Sequence, residues 1–168
     1  ELTMYRPSGS VYDLTLAYGE RDSKAFSLFS ECRIVGNPKF DDWFNNNFDG
    51  DLLKEVKKRI NPTKKTVLYL PTHSDLGSIK DLAGPLKEVT SKYNVIVKLH
   101  YYNITDEPEL VQKLEGGELV LFKDDVDLIT LLKVSDVVLS DNSSAIFDAI
   151  LADKPVVVTD FLDKEFLD

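Results

Sequence analysis

The stretch from Val134 to Phe161, VSDVVLSDNSSAIFDAILADKPVVVTDF, decides the fold of this chain. Its first apolar run, VVL, is bounded by polar residues and predicts a strand buried on both faces. Residues 141–144 then have side chains that favour helix N-caps, and residues 145–151 are apolar except for one aspartate. A second apolar run, VVV, follows at 156–158. The stretch therefore predicts a strand, a polar turn, a buried helix and another strand, which is a βαβ unit.

The polar turn at Ser143 and Ser144 has a composition that suits anion binding. The first turn of a helix has backbone N–H groups without intrahelical partners, and it carries partial positive charge. Small hydroxyl residues allow a phosphate to approach and add donors of their own. In an open parallel sheet, ligands bind beyond the carboxyl ends of the strands, which is where this turn falls. The same residues also cap helices, and taken alone capping is their more common role.

Composition limits the classes of protein that fit. The chain has 168 residues, 43% of them apolar and 29% charged, which is typical of a globular protein with a good core. Its net charge of −9 argues against binding nucleic acid or an anionic membrane surface. No run approaches the length of a membrane span, and no signal peptide opens the chain. The single cysteine, Cys32, predicts a buried small hydrophobe in a reducing, cytoplasmic compartment.

The rest of the chain repeats the alternation of strand and helix. Short apolar runs that predict strands occur at 67–70, 95–99 and 119–122, with helical patterns between them. One predicted helix covers 78–91 with an interruption at Gly84-Pro85, and another covers 125–133 with acids in its first turn. Together with the two strands of the opening stretch they predict an α/β fold with a doubly wound parallel sheet of Rossmann type.

Three segments follow from this alternation, and we expect the chain to be a piece of a longer protein. Residues 63–168 form the doubly wound domain, C-terminally incomplete. Residues 37–62 form a linker and a helix. Residues 1–36 form a βαβ unit without a sheet of its own.

Polar clusters follow three of the predicted strands, at residues 71–75, 98–102 and 141–144. Under a doubly wound order the first and fourth strands of this unit flank the switch point, and their ends share one crevice with the end of the second strand. The candidate site residues are therefore Thr72, His73, Lys98, His100, Asp141, Asn142, Ser143, Ser144 and Asp148. Taken singly, each histidine is more commonly a satisfied or solvated residue. Asp148 lies one helical turn beyond Ser144 in an apolar helix, where a carboxylate needs a partner. No cysteine or histidine spacing predicts a metal site, and no Gly-rich nucleotide motif is present.

At these residues the chain resembles a known family. The order PTH-SD, VKLHYY and VSDVVLSDNSSAIFDAILADKPVVV is similar to the CDP-glycerol glycerophosphotransferases, which build the polyol-phosphate chains of teichoic acids. The family pattern D-x-S-S-x-x-F-D is matched in full from Asp141 to Asp148, and GNPKFD at 36–41 resembles the passage between its two domains. The resemblance covers about residues 12–160. The chain departs from the family at His73 and Ser74, at Asn142, and at Lys98, which lies two positions before the histidine.

The resemblance implies the nucleotide-binding half of a two-domain glycosyltransferase-B type enzyme, in which residues 1–36 would be the βαβ tail of the preceding domain. The implied reaction moves glycerol phosphate, or a related polyol phosphate, from a CDP-activated donor to a cell-wall polymer or glycan, with no cofactor besides that donor. Ser143 and Ser144 would hold the pyrophosphate, and His100 would donate to a phosphate oxygen or protonate the leaving group. Thr72 would line the phosphate pocket, and Asp148 would meet a ribose hydroxyl or brace the serine turn. A second catalytic histidine and any membrane attachment would lie outside this chain.

Two other interpretations fit parts of the sequence. A sugar-nucleotide glycosyltransferase or a UDP-sugar 2-epimerase has the same fold, but usually has Gly-Gly or a glutamate where this chain has Ser-Ser and Asp148. A non-catalytic α/β interaction module of the response-regulator shape needs an acidic cluster after its first strand. Here that strand, VLYLP, is followed by Thr72 and His73 instead.

Overall fold

The computed structural model describes residues 12–123, 126–141 and 143–159. The chain divides into two compact units, residues 1–45 and 46–168. The finer division expected from the sequence, at residues 36 and 62, stays a prediction.

The described part of the smaller unit is the βαβ arrangement that its sequence predicts. Strand β1 (Leu14–Ala17), helix α1 (Glu20–Phe26) and strand β2 (Glu31–Ile34) follow one another, and the two strands pair in parallel with Leu14 opposite Glu31. A 3₁₀ turn (Pro38–Phe40) and a short helix, α2 (Asp41–Phe44), complete the unit. Cys32 was expected to be buried but is half-buried. Its strand, β2, pairs with β1 alone among the described strands, so one edge of β2 has no neighbouring strand there.

The larger unit alternates strands and helices along its whole described length. Its elements are α3 (Gly50–Arg59), β3 (Thr66–Leu70), a 3₁₀ turn (Ser74–Leu76), α4 (Ile79–Val89), β4 (Asn94–Lys98), α5 (Tyr101–Asp106), α6 (Pro108–Leu114), β5 (Val120–Phe122), α7 (Leu128–Val134), β6 (Val137–Ser140), α8 (Ala145–Leu151) and β7 (Val156–Val158).

All five strands of this unit are parallel, in the order β5-β4-β3-β6-β7. This confirms the predicted doubly wound sheet. The first strand of the unit, β3, lies at its centre, paired with β4 on one side and β6 on the other. The order of the strands therefore reverses between β3 and β6, and their carboxyl ends are neighbours.

The core lies on the sheet because its central strands are apolar on both faces. Tyr69, Val95 and Val97 pack with buried side chains of α4 and α6 in one cluster. Alternation along the strands points Leu68 and Ile96, both fully buried, to the other face. On that side α7 packs against β3 and α3 packs against α7. Burial on both faces fixes the register of the strands, which in turn fixes what lies at their ends.

Two helices differ from what the sequence predicts. The YYNITD segment forms α5, which we did not predict because aromatic and β-branched residues are weak helix formers. Helix α4 continues through Gly84-Pro85, where an interruption was expected. Proline clashes most with a preceding residue that has a Cβ, and Gly84 has none. The buried side chains of Ile79, Ala83 and Leu86 then hold the helix on the sheet.

The start of α7 and the exposure of α8 also differ from what the sequence predicts. A helix from Asp125 was expected, but α7 begins at Leu128 with Asp127 as its cap, accepting from the N–H groups of Ile129 and Thr130; Asp125 itself lies outside the described residues. Helix α8 was expected to be buried, yet its outward side chains, Phe147, Ile150 and Leu151, are exposed. In the described part of the chain, none of the helices has the length and apolar content needed to cross a membrane.

Candidate active site

The three polar clusters predicted from the sequence follow β3, β4 and β6, which are adjacent strands at the centre of the sheet. Parallel strands place their carboxyl ends at one edge, so residues 71–75 and 98–102 share that edge with residues 141, 143 and 144. The prediction that the first and fourth strands of this unit flank the switch point is confirmed by the pairing of β3 with β6.

Asp141 joins the end of β6 to the loop after β3. Its side chain is buried, at 2% exposure. One carboxylate oxygen, Oδ1, accepts from the Thr72 N–H at 2.8 Å. The other, Oδ2, accepts from the N–H of Ser78 at 2.9 Å and from its hydroxyl at 2.7 Å. Both oxygens are engaged, so in this structure Asp141 positions the loop; contact with a ligand stays a prediction.

The hydrogen bonds of Asp141 continue into the core through Ser78. Because the Ser78 hydroxyl donates to Asp141, the Tyr69 hydroxyl, 2.8 Å away, donates to Ser78. Burial, despite the bond to Ser78, raises the pKa of Tyr69 far above its usual range, so this phenol stays protonated and keeps donating. Close packing also fixes the loop, since a Cβ at Gly77 would lie 2.9 Å from the Thr72 carbonyl oxygen.

Two histidines and a tyrosine stack at the same edge. The ring centroids of His73 and His100 are 4.7 Å apart, and that of Tyr102 lies 4.8 Å from His73 and 5.4 Å from His100. His100 and Tyr102 are exposed and His73 is half-buried. We call these three residues the histidine–tyrosine cluster. The cluster joins the loop after β3 to the loop after β4, as the predicted crevice requires.

His100 is held in one tautomer. The Tyr102 N–H donates to His100 Nδ1 at 3.2 Å, so the neutral ring carries its proton on Nε2. Burial, followed by the positive charges of His73 and Lys98, lowers the pKa of His100. His100 is therefore mainly neutral near pH 7, with Nε2–H available as a donor.

Asn103 and Glu107 are part of this arrangement and were not predicted. The side chain of Asn103 is fully buried; its Nδ2 donates to the Thr72 carbonyl at 3.0 Å and its Oδ1 accepts from the His100 N–H at 2.9 Å. Glu107 accepts from Asn103 Nδ2 at 2.7 Å and from the Ser74 N–H at 2.9 Å. Asn103 stands at the capping-box spacing from His100, but no local signal in the sequence points to its bond with the Thr72 carbonyl. Nothing local identifies Glu107.

The serine turn begins α8, and its two serines differ. Ser143 Oγ accepts from the Ala145 N–H at 3.3 Å, which is a weak local bond at the start of the helix. Ser144 is exposed, and its side chain makes no capping hydrogen bond to α8. Capping therefore explains Ser143 in part and does not explain Ser144. Asn142 lies outside the described residues.

The remaining described candidates, Lys98 and Asp148, lie at the same edge. Lys98 ends β4 and is half-buried, and Asp148 is half-buried one turn into α8. Direct contacts thus join Thr72 with Asp141, and His73 with His100. Ligand contacts of all the candidates stay predictions. Among the described residues, no group of three or more His, Cys, Asp or Glu side chains is arranged to hold a metal ion.

A cavity of about 460 Å³ lies at the opposite edge of the sheet, beside Asn94 and Val120. Its cationic side chains already have partners. Arg59 pairs with Glu55 and lies over the Phe122 ring, and Lys64 donates to the Thr90 carbonyl. The cavity contains none of the predicted site residues, so we assign no ligand to it.

Comparison with known proteins points to one family. The family described as CDP-Glycerol:Poly(glycerophosphate) glycerophosphotransferase matches residues 18–164. The teichoic acid glycerol-phosphate primase of Bacillus spizizenii is 30% identical over 168 residues, 94% of this chain and 42% of its own length. The teichoic acid poly(glycerol phosphate) polymerase of the same organism is 27% identical over 139 residues, 73% of this chain and 33% of its own length. The chain therefore spans about a third to two fifths of these relatives.

Solved structures agree on the fold. A structure of the wall teichoic acid polymerase TagF, soaked with CDPG, superposes with a TM-score of 0.71 at 19% identity, covering 98% of this chain and 42% of TagF. A UDP-GlcNAc 2-epimerase from Neisseria meningitidis superposes with a TM-score of 0.60 at 16% identity, covering 98% of this chain and 50% of the epimerase. At these identities the likeness establishes the fold. The family match covers most of the chain, and so the chain belongs to the CDP-glycerol:poly(glycerophosphate) glycerophosphotransferase family.

Proposed function

We propose that this chain is the donor-binding half of a transferase. The whole protein moves glycerol phosphate, or a related polyol phosphate, from a CDP-activated donor to a cell-wall polymer or glycan. The family supports this reaction class. The observation that carries the assignment of the site is the convergence of three loops at the switch point, where the His73–His100 stack lies beside the loop held by Asp141.

The proposed chemistry is displacement at the β-phosphorus of the donor. The acceptor hydroxyl oxygen forms a bond to that phosphorus, and the bond from phosphorus to the bridging oxygen breaks. The bridging oxygen leaves with the electron pair as part of CMP, and the acceptor loses its proton to a base outside this chain. Catalysis of phosphoryl transfer depends mainly on positioning and on stabilising the charge that develops on the oxygens.

The residues at this edge supply donors for that charge. His100 Nε2–H donates to a phosphate oxygen in its neutral form, and pairs with it more strongly when protonated. Ser143 and Ser144, with the N–H groups beside them, hold the pyrophosphate, and Thr72 lines the phosphate pocket. Lys98, His73, Asn142 and Asp148 complete the donor site. We propose no cofactor and no metal beyond the donor itself.

The partners and location follow from this assignment. The donor is a nucleotide-activated small molecule and the acceptor a polymer or glycan, and nucleic acid is not a partner. We infer a cytoplasmic location, with any membrane attachment made by parts outside this chain.

A thermal-shift titration of this chain with CDP, UDP, ADP and inorganic phosphate tests the proposal. A ligand that binds only the native state raises the melting temperature with concentration. We expect CDP to give the largest rise and phosphate a smaller one. A larger rise with UDP would favour a sugar-nucleotide enzyme, and no rise with any nucleotide would contradict a donor site on this chain.

A further inference from the structure

The loop after β3 is held by side chains from two other parts of the fold. The Thr72 N–H donates to Asp141, the Thr72 carbonyl accepts from Asn103, and the Ser74 N–H donates to Glu107. His73 lies between these anchors, so both peptide groups that flank it are fixed. The position of its ring over His100 follows from that backbone and from a hydrogen bond of 3.0 Å between His73 Nδ1 and the Ser74 hydroxyl, and not from a bond between the two rings.

The backbone at Ser74 shows that the anchors are needed. Ser74 has φ of +60°, in the left-handed region. A residue with a Cβ rarely adopts this conformation, which persists only where its surroundings hold it. Two bonds do so: the Ser74 N–H donates to Glu107, and its carbonyl accepts from the Gly77 N–H at 2.9 Å.

Asn103 contacts both loops that carry the histidines. Its Nδ2 donates to the Thr72 carbonyl, one residue before His73, and its Oδ1 accepts from the His100 N–H. Since the side chain is fully buried, rotating it would leave polar groups unpaired. One amide thus sets the distance between the two histidine backbones.

Glu107 gives Asn103 its direction. An ionised carboxylate accepts at both oxygens and donates at neither, so Glu107 accepts from Asn103 Nδ2 and from the Ser74 N–H at once. A glutamine of the same shape has one acceptor oxygen and cannot accept both bonds. Turned to donate to Asn103 Oδ1, it would compete with the His100 N–H. The charge, and not only the shape, is required.

We propose that Asn103 and Glu107 are positioning residues of the donor site: they hold the loop after β3 so that His73 stacks on His100. The consequence for binding rests on the proposed function: the two rings are already in place before the donor phosphates arrive. Pre-organisation lowers the entropy that binding must overcome, so loss of the stack weakens binding without removing a direct contact.

NMR of the free chain tests the positioning directly, because the sequence has only two histidines. Comparing His73→Ala with the parent assigns the imidazole signals to His73 and His100. In the parent we expect a nuclear Overhauser effect between the rings and upfield ring-current shifts. Glu107→Gln should remove the nuclear Overhauser effect between the rings while its amide spectrum remains that of a folded chain. Asn103→Asp, which faces Glu107 with a second carboxylate, should do the same. Glu109→Gln is the matched control. Glu109 is an exposed glutamate in the first turn of α6, and the variant should resemble the parent.

Titration calorimetry with CDP gives the functional consequence. We expect Glu107→Gln to weaken CDP binding on the order of tenfold and Glu109→Gln to leave it unchanged. A Glu107→Gln chain that keeps the inter-ring effect and the parent affinity overturns the proposal, as does a parent without the inter-ring effect. If Asn103→Asp fails to fold, Glu107→Gln, a change at a half-buried residue, remains as the test. A parent that does not bind CDP contradicts the proposed function, whereas the NMR comparison still decides the positioning.

Discussion

At the scale of single residues, the two serines after β6 have separable roles. Ser143 accepts a local N–H at the start of α8, and Ser144 is exposed without a capping bond. We therefore expect Ser143→Ala to lower stability by about 1 kcal/mol or less. Ser144→Ala should leave stability unchanged and lose roughly 1.5–3 kcal/mol of CDP binding, on the order of 10- to 100-fold. Thermal melts and calorimetry on both variants check this. Normal CDP binding by Ser144→Ala would remove that serine from the site.

We expect His100 to make the affinity for CDP depend on pH. Its pKa is lowered by burial and by the charges of His73 and Lys98, and a phosphate beside Nε2 would raise it again. Between those two pKa values binding takes up a proton, so affinity should fall as the pH rises through the histidine range. Calorimetry across this range measures the effect. His100→Ala should flatten the profile, whereas His73→Ala removes one charge and should move the fall to higher pH.

The contribution of His100 to the stability of the free chain should rise with pH, whereas the affinity for CDP should fall. Because the folded state holds the pKa of His100 below its unfolded value, the unfolded state binds the proton more readily. The contribution of His100 to stability is therefore complete above the ordinary histidine pKa and is lost as the pH falls through the lowered one. Urea unfolding of the parent and of His100→Ala at matched pH values separates this contribution from the rest of the chain.

At the scale of elements, the buried carboxylate of Asp141 fastens β6 to the segment between β3 and α4. Asp141→Ala leaves the N–H groups of Thr72 and Ser78 and the Ser78 hydroxyl without their acceptor. We expect a loss of roughly 3 kcal/mol in the free energy of unfolding. Asp141→Asn keeps one acceptor oxygen and should lose less. Urea unfolding measures both, with Asp75→Ala, an exposed aspartate in the same loop, as the control. A loss no larger than that of the control would mean that the three bonds contribute little.

At the scale of the whole molecule, binding and transfer should be separable. On the proposed function, the described residues supply donors for the phosphates and the base for the acceptor hydroxyl comes from the other half of the transferase. We therefore expect this chain alone to bind CDP without making polymer from CDP-glycerol. Release of CMP and labelled product, followed with and without a glycerol-phosphate acceptor, measures this. Acceptor-dependent product would show that the chain carries the whole site.

The sequence by itself determined the sheet and the edge where the site lies. Apolar runs of strand length predicted each strand of the larger unit, because burial on both faces demands such runs. The right-handed crossover rule then restricts the order of those strands, so the meeting of the loops after β3, β4 and β6 was predictable. The matched motif from Asp141 to Asp148 added the family. What carried this inference was periodicity and the spacing of motifs, which are properties of neighbours in the chain.

Only the tertiary structure decided which polar groups at that edge hold the loops and which face outward. Asp141 and Asn103 are buried and bonded to backbone up to 69 residues away, whereas Ser144 and His100 are exposed. No local pattern distinguishes these roles, because a carboxylate in a polar turn has the same sequence context in either case. Likewise Glu107 acquires its role from the close approach of two loops that lie far apart in the chain. Hydrogen bonds between distant backbone groups depend on packing, and packing is what the sequence pattern leaves open.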